Sequence, residues 1–294
     1  MIRLGTRRSA LATAQATHMA DALRALGHEV EMVLIVTHGD TNRAPLEQIG
    51  GTGVFVSALR DALLAHEIDI AVHSLKDLPT ASVDGLTLGA IPVREDPRDV
   101  LVARDGLSLG ELQTGAVVGT GSPRRQAQLD ALGLGLELTA IRGNVDSRIA
   151  MVHDGKLDAV VLARAGLSRL GRLAEVTETL DPIQLLPAPG QGALGIECRA
   201  DDAAVLQALA PLEDPATRAA VTAERQLLAT LEAGCTAPVG ALAEVVEGEE
   251  GPELWLRGAL GQEGGGVRRL SANGPVDDPA SLGRALANEL LEQT

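Results

Sequence analysis

Three stretches of the chain place paired cations where a helix should begin. Arg7 and Arg8 precede Ser9, and Ser122-Pro123-Arg124-Arg125 sets a capping hydroxyl, a first-turn proline and two guanidinium groups at one start. Arg142 precedes Asn144, with Arg148 one turn further in. A helix N-terminus presents unbonded N–H groups and a partial positive charge, which binds anions. An arginine there is mildly unfavourable, by about 0.3–1 kcal/mol when exposed. Any one of these sites also suits a solvated surface arginine. Three together imply a ligand carrying several carboxylates or phosphates.

A second group of polar residues follows an apolar run. His73-Ser74-Leu75-Lys76-Asp77-Leu78-Pro79 comes directly after Ile68–Val72, and the end of a buried strand is where α/β folds hold functional groups. Asp77 suits an acid or an electrostatic stabiliser, with Lys76 beside it to bind anions or keep it ionised. The same spacing suits a turn capped by Asp and Pro. His73 reads as a hydrogen-bonded structural histidine.

Of the two cysteines, Cys198 falls in an apolar run and reads as core. Cys235 follows a long helix, where the dipole disfavours a thiolate, so it is a poor standing nucleophile but an accessible place for one lasting modification. Gly190-Gln191-Gly192-Ala193-Leu194-Gly195 spells GxGxxG, yet it follows Pro187 and Pro189 and leads into a strand-like run, so no dinucleotide site is expected. Leu157 after Lys156 rules out a Walker A loop, and no His/Cys cluster has metal-ligand spacing.

These groups need elements to hold them. Strands are expected at Ile2–Gly5, Glu31–Thr37, Ile68–His73, Ala116–Thr120, Leu136–Ile141 and Asp158–Leu162. Helices are expected over Ser9–Leu26 and Val54–His66, and from Ser122, Asn144 and Ala165. Continuous apolar strands alternating with helices predict parallel or mixed sheets with both faces covered. The tail differs: a long helix over Pro215–Leu231, strand-like runs near Ala237–Glu247, Leu254–Leu260 and Val267–Ala272, and a final helix from Pro279. The proline-rich stretches Ala90–Asp99 and Asp181–Gln191 read as two crossings between the same pair of α/β domains, an arrangement that makes a hinged cleft. The expected plan is domain 1 over 1–92 and 193–210, domain 2 over 98–186, and a small α+β domain over 215–294.

Composition bounds the function. The 294 residues are 45% hydrophobic with mean hydropathy +0.13, enough to build a core. One Phe, one Trp and no Tyr leave no stacking platform for bases, and a net charge of −15 argues against nucleic acid. Residues 1–186 carry 18 basic and 23 acidic side chains and the remainder 7 and 17, so an anion site belongs in the first two thirds. All basic residues except Lys76 and Lys156 are arginine, which favours fork-to-fork carboxylate recognition, although a GC-rich genome gives the same skew. The cysteine usage, the N-terminus without an apolar signal core and the lack of a long apolar run predict a cytoplasmic protein without membrane association. The acidic surface predicts a monomer.

The strings LGTRRSALA, GGTGVF, DIAVHSLKDLP, REDPRD, GTGSPRRQ, IRGNVDSR, LARAGLSRLG, PAPGQGALGIECR and EAGCTAPVG, in this order and spacing, resemble the porphobilinogen deaminases, also called hydroxymethylbilane synthases. The resemblance runs from Arg3 to the C-terminal helix. It implies two hinged domains like type II periplasmic binding proteins and a small third domain whose cysteine carries a dipyrromethane cofactor. Cys235 would then be the attachment point and Asp77 the catalytic carboxylate. Lys76, Thr120, Ser122, Arg124, Arg125 and Arg142 would hold the cofactor. Arg7, Ser9, Arg142, Arg148 and Arg169 would hold the substrate porphobilinogen, and Phe55 would belong to a mobile loop. Gln48 and Thr52 stand where many relatives have lysines, and Pro123 where leucine is common. The implied reaction joins four porphobilinogens head to tail with loss of ammonia, Asp77 stabilising the developing positive charge. Two other readings compete: a non-catalytic two-domain anion-binding protein, which needs the arginines and hinge but neither Asp77 nor a modified Cys235, and an acyl-transfer enzyme with Cys235 as nucleophile.

Overall fold

The computed structural model describes residues 1–35, 53–231, 238–249, 251–262 and 264–292, and for 53–55 the backbone alone. Contacts divide the chain into two units, Met1–Arg94 with Ala193–Arg218, and Glu95–Gly192 with Ala219–Thr294. The first unit begins with β1 (Ile2–Thr6), α1 (Ala10–Ala25), β2 (Val30–Leu34), α2 (Gly53–Leu64), β3 (Ile70–Ser74) and β4 (Leu86–Ala90). The second contributes β5 (Asp99–Ala103), β6 (Val117–Gly119), α3 (Pro123–Asp130), β7 (Glu137–Thr139), α4 (Val145–His153), β8 (Ala159–Ala163), α5 (Arg164–Arg169) and β9 (Glu178–Thr179). The chain returns to the first unit for β10 (Leu194–Arg199) and α6 (Ala203–Leu209). The unit boundary falls inside α7 (Pro215–Thr230), after which β11 (Val239–Gly248), β12 (Gly251–Gly261), β13 (Val267–Pro275) and α8 (Pro279–Glu292) complete the second unit.

Each unit is built on a five-stranded mixed sheet. The first has the order β2-β1-β3-β10-β4 and the second β7-β6-β8-β5-β9. β1 runs parallel to β2 and β3, while β10 is antiparallel to β3 and β4. In the second sheet β6 is parallel to β7 and β8, and β5 is antiparallel to β8 and β9. The fourth position of each sheet is therefore filled by the strand that enters after a proline-rich crossing. This is the mixed α/β class expected from the apolar strands.

The sequence reading missed β4, β5 and β9. Alternation of strand and helix cannot find them, because β4 leads to a crossing and β5 follows one. β4 also carries Gly89, where a Cβ would come within 2.8 Å of the Cys198 sulfur.

Aliphatic side chains fill the cores, as the scarcity of aromatics requires. Leu4, Met19, Leu23, Ile70 and Ile196 pack together in the first unit. Val100, Ile149, Val160 and Leu167 do so on one face of the second sheet, and Leu101, Val118, Leu129 and Val161 on the other. The C-terminal strands form an antiparallel sheet, β11-β12-β13, whose Leu254 and Leu256 pack against Leu227 of α7 and Leu286 and Leu290 of α8. This α+β part joins the second unit through a cluster of Leu186, Leu242 and Ala259. Arg269 adds hydrogen bonds from Nη2 to Gln128 Oε1 at 2.9 Å and to the Gln184 carbonyl at 3.0 Å.

Candidate active site

In the first unit the end of β1 is tied to the start of α1. Ser9 caps the helix, its Oγ accepting from the Ala12 N–H at 3.2 Å. Thr6 Oγ1 donates to the Ala12 carbonyl and Thr13 Oγ1 to the Arg7 carbonyl, at 3.1 and 3.4 Å. These bonds leave Arg7 half-buried and Arg8 exposed at a helix end whose first turn has no acidic residue.

Asp77 lies in a single 3-10 turn, Leu75–Asp77, at the end of β3. Leu75 is fully buried and its N–H donates to the Ala193 carbonyl at 3.0 Å, while Leu78 is buried on the other side. Two apolar anchors thus hold a turn that presents Asp77 to solvent with Lys76 half-buried beside it. His73 on β3 is buried, its Nε2 3.2 Å from Glu197 Oε2 on β10. Arg60 of α2 closes the group, with Nη2 2.9 Å and Nε 3.0 Å from Glu197 Oε1. Burial alone would raise the Glu197 pKa, but His73 and Arg60 outweigh it and hold the carboxyl below its ordinary value. His73 is structural, as its place in the sequence suggests.

The second unit carries the other helix starts. Thr120 follows β6, fully buried, and its Oγ1 accepts from the Ser122 N–H at 3.2 Å. Ser122 caps α3 through Oγ to the Arg125 N–H at 3.4 Å, with Pro123 in the first turn. At the start of α4, Asn144 Oδ1 accepts from the Ser147 N–H at 2.9 Å, and Arg148 Nε donates to the Gly143 carbonyl at 2.8 Å. Gly143 has φ +117, and a Cβ there would meet Ser147 Oγ at 2.2 Å, so this turn requires glycine. Arg142 is exposed. Arg169 of α5 donates from Nη2 to the Gly192 carbonyl at 2.7 Å.

Arg124 and Arg125 do not lie on the surface. They are 3% and 5% exposed, and both turn back to Asp99 at the head of β5. Arg124 Nη2 is 2.8 Å from Asp99 Oδ2 and Arg125 Nη2 2.7 Å from Oδ1. Their Nη1 atoms donate to the Leu186 and Val161 carbonyls at 2.5 and 2.9 Å. Burial would raise the Asp99 pKa, but the two arginines and a hydrogen bond from Gln191 overcome it and keep the carboxyl ionised. Part of the anion required at this helix start is therefore the protein's own. Burial, and then the charge of Arg125, pulls the Arg148 guanidinium below its ordinary value. Asp99 is the residue that reading the sequence overlooked; the available signal was an acid opening an apolar run, Asp99-Val100-Leu101-Val102-Ala103.

Cys235 lies outside the described residues, as do Gln48 and Thr52, and so does the side chain of Phe55. The GxGxxG string forms no nucleotide loop: Gly192 has φ +88 with the Glu95 carbonyl where a Cβ would stand, and β10 follows. Among the described residues no His, Cys, Asp or Glu group could hold a metal ion, and no helix is long and apolar enough to cross a membrane.

Two family models match this chain. The porphobilinogen deaminase dipyromethane cofactor binding domain covers residues 2–207, and the porphobilinogen deaminase C-terminal domain covers 218–292. The chain belongs to the porphobilinogen deaminase family. Among relatives, the porphobilinogen deaminase of Nocardia farcinica is 61% identical over 297 residues, covering 99% of this chain and 86% of that one. That of Mycobacteroides abscessus is 59% identical over 298 residues, covering 99% and 97%. Among solved structures, a putative methionine-binding lipoprotein from Bacillus subtilis aligns at TM-score 0.44 and 14% identity, over 72% of this chain and 89% of that chain. The methionine-binding protein MetQ aligns at 0.43 and 15%, over 72% and 89%. Membership of the porphobilinogen deaminases, which are hydroxymethylbilane synthases and hence transferases, leaves the non-catalytic and acyl-transfer readings without support. Their cofactor is dipyrromethane, whose carboxylates match an arginine-rich set of donors.

Proposed function

We propose that this chain condenses four porphobilinogen molecules head to tail on a dipyrromethane primer carried by Cys235, releasing one ammonia per unit, and that water then cleaves the product from the primer as hydroxymethylbilane. The observation that carries the reading is the surplus of guanidinium at the starts of α3 and α4, buried at the first and half-buried to exposed at the second. Asp99 is one carboxylate against the two guanidinium groups of Arg124 and Arg125, so the pair keeps one positive charge beyond its partner. An unbalanced guanidinium charge favours an anion, and carboxylates supply one in the fork geometry arginine prefers.

Lys76, Thr120, Ser122, Arg124, Arg125 and Arg142 hold the primer in this reading, and Arg7, Ser9, Arg142, Arg148 and Arg169 the incoming carboxylates. When bound, the dipyrromethane supplies the pyrrole carbon to which the first unit is joined. Asp77 is the catalytic carboxylate: it faces the positive charge that develops as ammonia leaves and accepts from pyrrole N–H groups. Its rigid turn keeps it oriented without reorganisation, the condition under which a fixed charge lowers a barrier. Lys76 meets a carboxylate.

The division into 1–92 with 193–210, 98–186 and 215–294 belongs to the same proposal, as does a monomer working in the cytoplasm without nucleic acid or membrane. The test is intact mass together with turnover. Purified protein should weigh two pyrrole units more than the bare chain, with the addition on the peptide containing Cys235, and should convert porphobilinogen to hydroxymethylbilane. A mass equal to the bare sequence, unchanged after incubation with porphobilinogen, overturns it.

A further inference from the structure

We infer that Asp99, held in turn by Gln191, is a positioning residue that aims the Arg124–Arg125 pair at the primer's carboxylates; this rests on the deaminase reading above. Asp99 is fully buried, and both of its oxygens are used. Oδ2 takes Arg124 Nη2 at 2.8 Å, while Oδ1 takes Arg125 Nη2 at 2.7 Å and Gln191 Nε2 at 2.9 Å. Gln191 is 1% exposed and its Nε2 also donates to the Pro97 carbonyl at 2.6 Å. The amide therefore joins Gly190–Gly192 to the segment leading into β5. From the other side, Glu224 of α7 accepts from the Gly190 N–H at 2.6 Å and from the Ala243 N–H of β11 at 2.9 Å. One hydrogen-bonded path thus runs from the helix that precedes Cys235 and the strand that follows it, through Gly190-Gln191, to Asp99 and the two arginines.

A stability role alone does not account for this arrangement. Burying two guanidinium groups against one carboxylate is costly, and apolar residues of similar volume would hold a core at least as well. What the network provides is direction. Each guanidinium gives one Nη1 hydrogen to a carbonyl and one Nη2 hydrogen to Asp99, which fixes the plane of the group while further N–H groups stay uncommitted. A guanidinium held in plane, with hydrogens to spare and charge beyond what Asp99 offsets, is what a preorganised carboxylate clamp requires.

Asp99→Asn and Gln191→Leu, made in the full chain, separate positioning from stability. Loading is read as the rate at which unloaded protein gains the mass of two pyrrole units on incubation with porphobilinogen. Turnover is read as kcat per loaded molecule and as KM for porphobilinogen. Asp99→Asn should load at least about tenfold more slowly and lose at least about tenfold in kcat per loaded molecule, because a small misplacement of binding groups is costly in rate. KM should stay within about twofold, since the residues assigned to the incoming unit are unaltered. Gln191→Leu should show the same split at about threefold, Asp99 keeping its two arginines. Wild-type loading and wild-type kcat per loaded molecule in both variants, whatever their melting temperatures, overturn the inference. If Asp99→Asn does not fold, Gln191→Leu decides alone by the same readouts. A wild type that never gains the mass overturns the deaminase reading and this one with it; a wild type that loads beside variants that load equally well overturns this one only.

Discussion

Arg124 and Asp99 form an ion pair at 2.8 Å with side chains 4% and 0% exposed, although 25 positions separate them in the chain. A cation that looks ligand-facing in the sequence is thus partly committed to the fold. Arg124→Leu leaves Asp99 buried with one partner fewer, at a cost of about 3–5 kcal/mol. The variant should melt markedly lower than wild type in calorimetry, in addition to losing activity. A melting temperature within a degree of wild type would show that Asp99 does not depend on Arg124.

Arg142 should behave in the opposite way. It is exposed, so Arg142→Leu should change stability by no more than about 0.5 kcal/mol while primer assembly or elongation fails. Arg172, outside the proposed set, pairs with Asp146 and Glu175 and serves as the comparison. Equal turnover of Arg142→Leu and Arg172→Leu would remove Arg142 from the site.

Asp77 is exposed on a turn anchored by Leu75 and Leu78, so Asp77→Asn should fold and melt as wild type does. Turnover should fall by about 10²–10³, the usual loss when one preorganised stabilising group is removed. Hydroxymethylbilane formed at near-normal rates would sink the assignment of Asp77 as the catalytic carboxylate.

Cys198 and Cys235 should be chemically distinct. Cys198 is fully buried in β10, and burial pushes its thiol up to about 11, so it stays protonated at neutral pH. Native protein treated with iodoacetamide should show no label on the Cys198 peptide, and Cys198→Ala should keep the primer and activity with a loss of about 1–2 kcal/mol. Cys235→Ser should lack both mass and activity, because a hydroxyl is the weaker nucleophile. Rapid labelling of Cys198 would contradict its burial.

Asp69 predicts how the fold responds to acid. It accepts from the Arg3 N–H at 2.9 Å, from Arg3 Nη2 at 2.7 Å and from Arg199 Nη2 at 3.1 Å. Burial would raise its pKa, but these bonds outweigh it and hold the carboxyl at about 2. A carboxyl depressed on folding stabilises the protein above its unfolded value of about 3.9, and that contribution is lost as pH falls through the folded one. Melting temperature should therefore drop between about pH 4 and 2, and Asp69→Asn should flatten the drop. An unchanged slope in the variant would place the acid sensitivity elsewhere.

The sequence by itself determined the strand–helix alternation, because apolar runs such as Ile70–Val72 and Val160–Leu162 have one stable use, as buried strands under helices. It also determined the helix starts, since Ser9, Ser122 and Asn144 each accept from a backbone N–H within their own first turn. These are local consequences of residue type and spacing. The tertiary structure alone decided which arginines are spent inside the protein. Arg124 and Arg142 look alike in the sequence, yet one is buried against Asp99 and the other faces solvent. It alone decided that His73 meets Glu197, 124 residues away, and that Gln191 reaches Asp99 across 92. The reason is physical: an ion pair in the interior exists only where the fold brings opposite charges together and removes water, and no local spacing encodes that meeting.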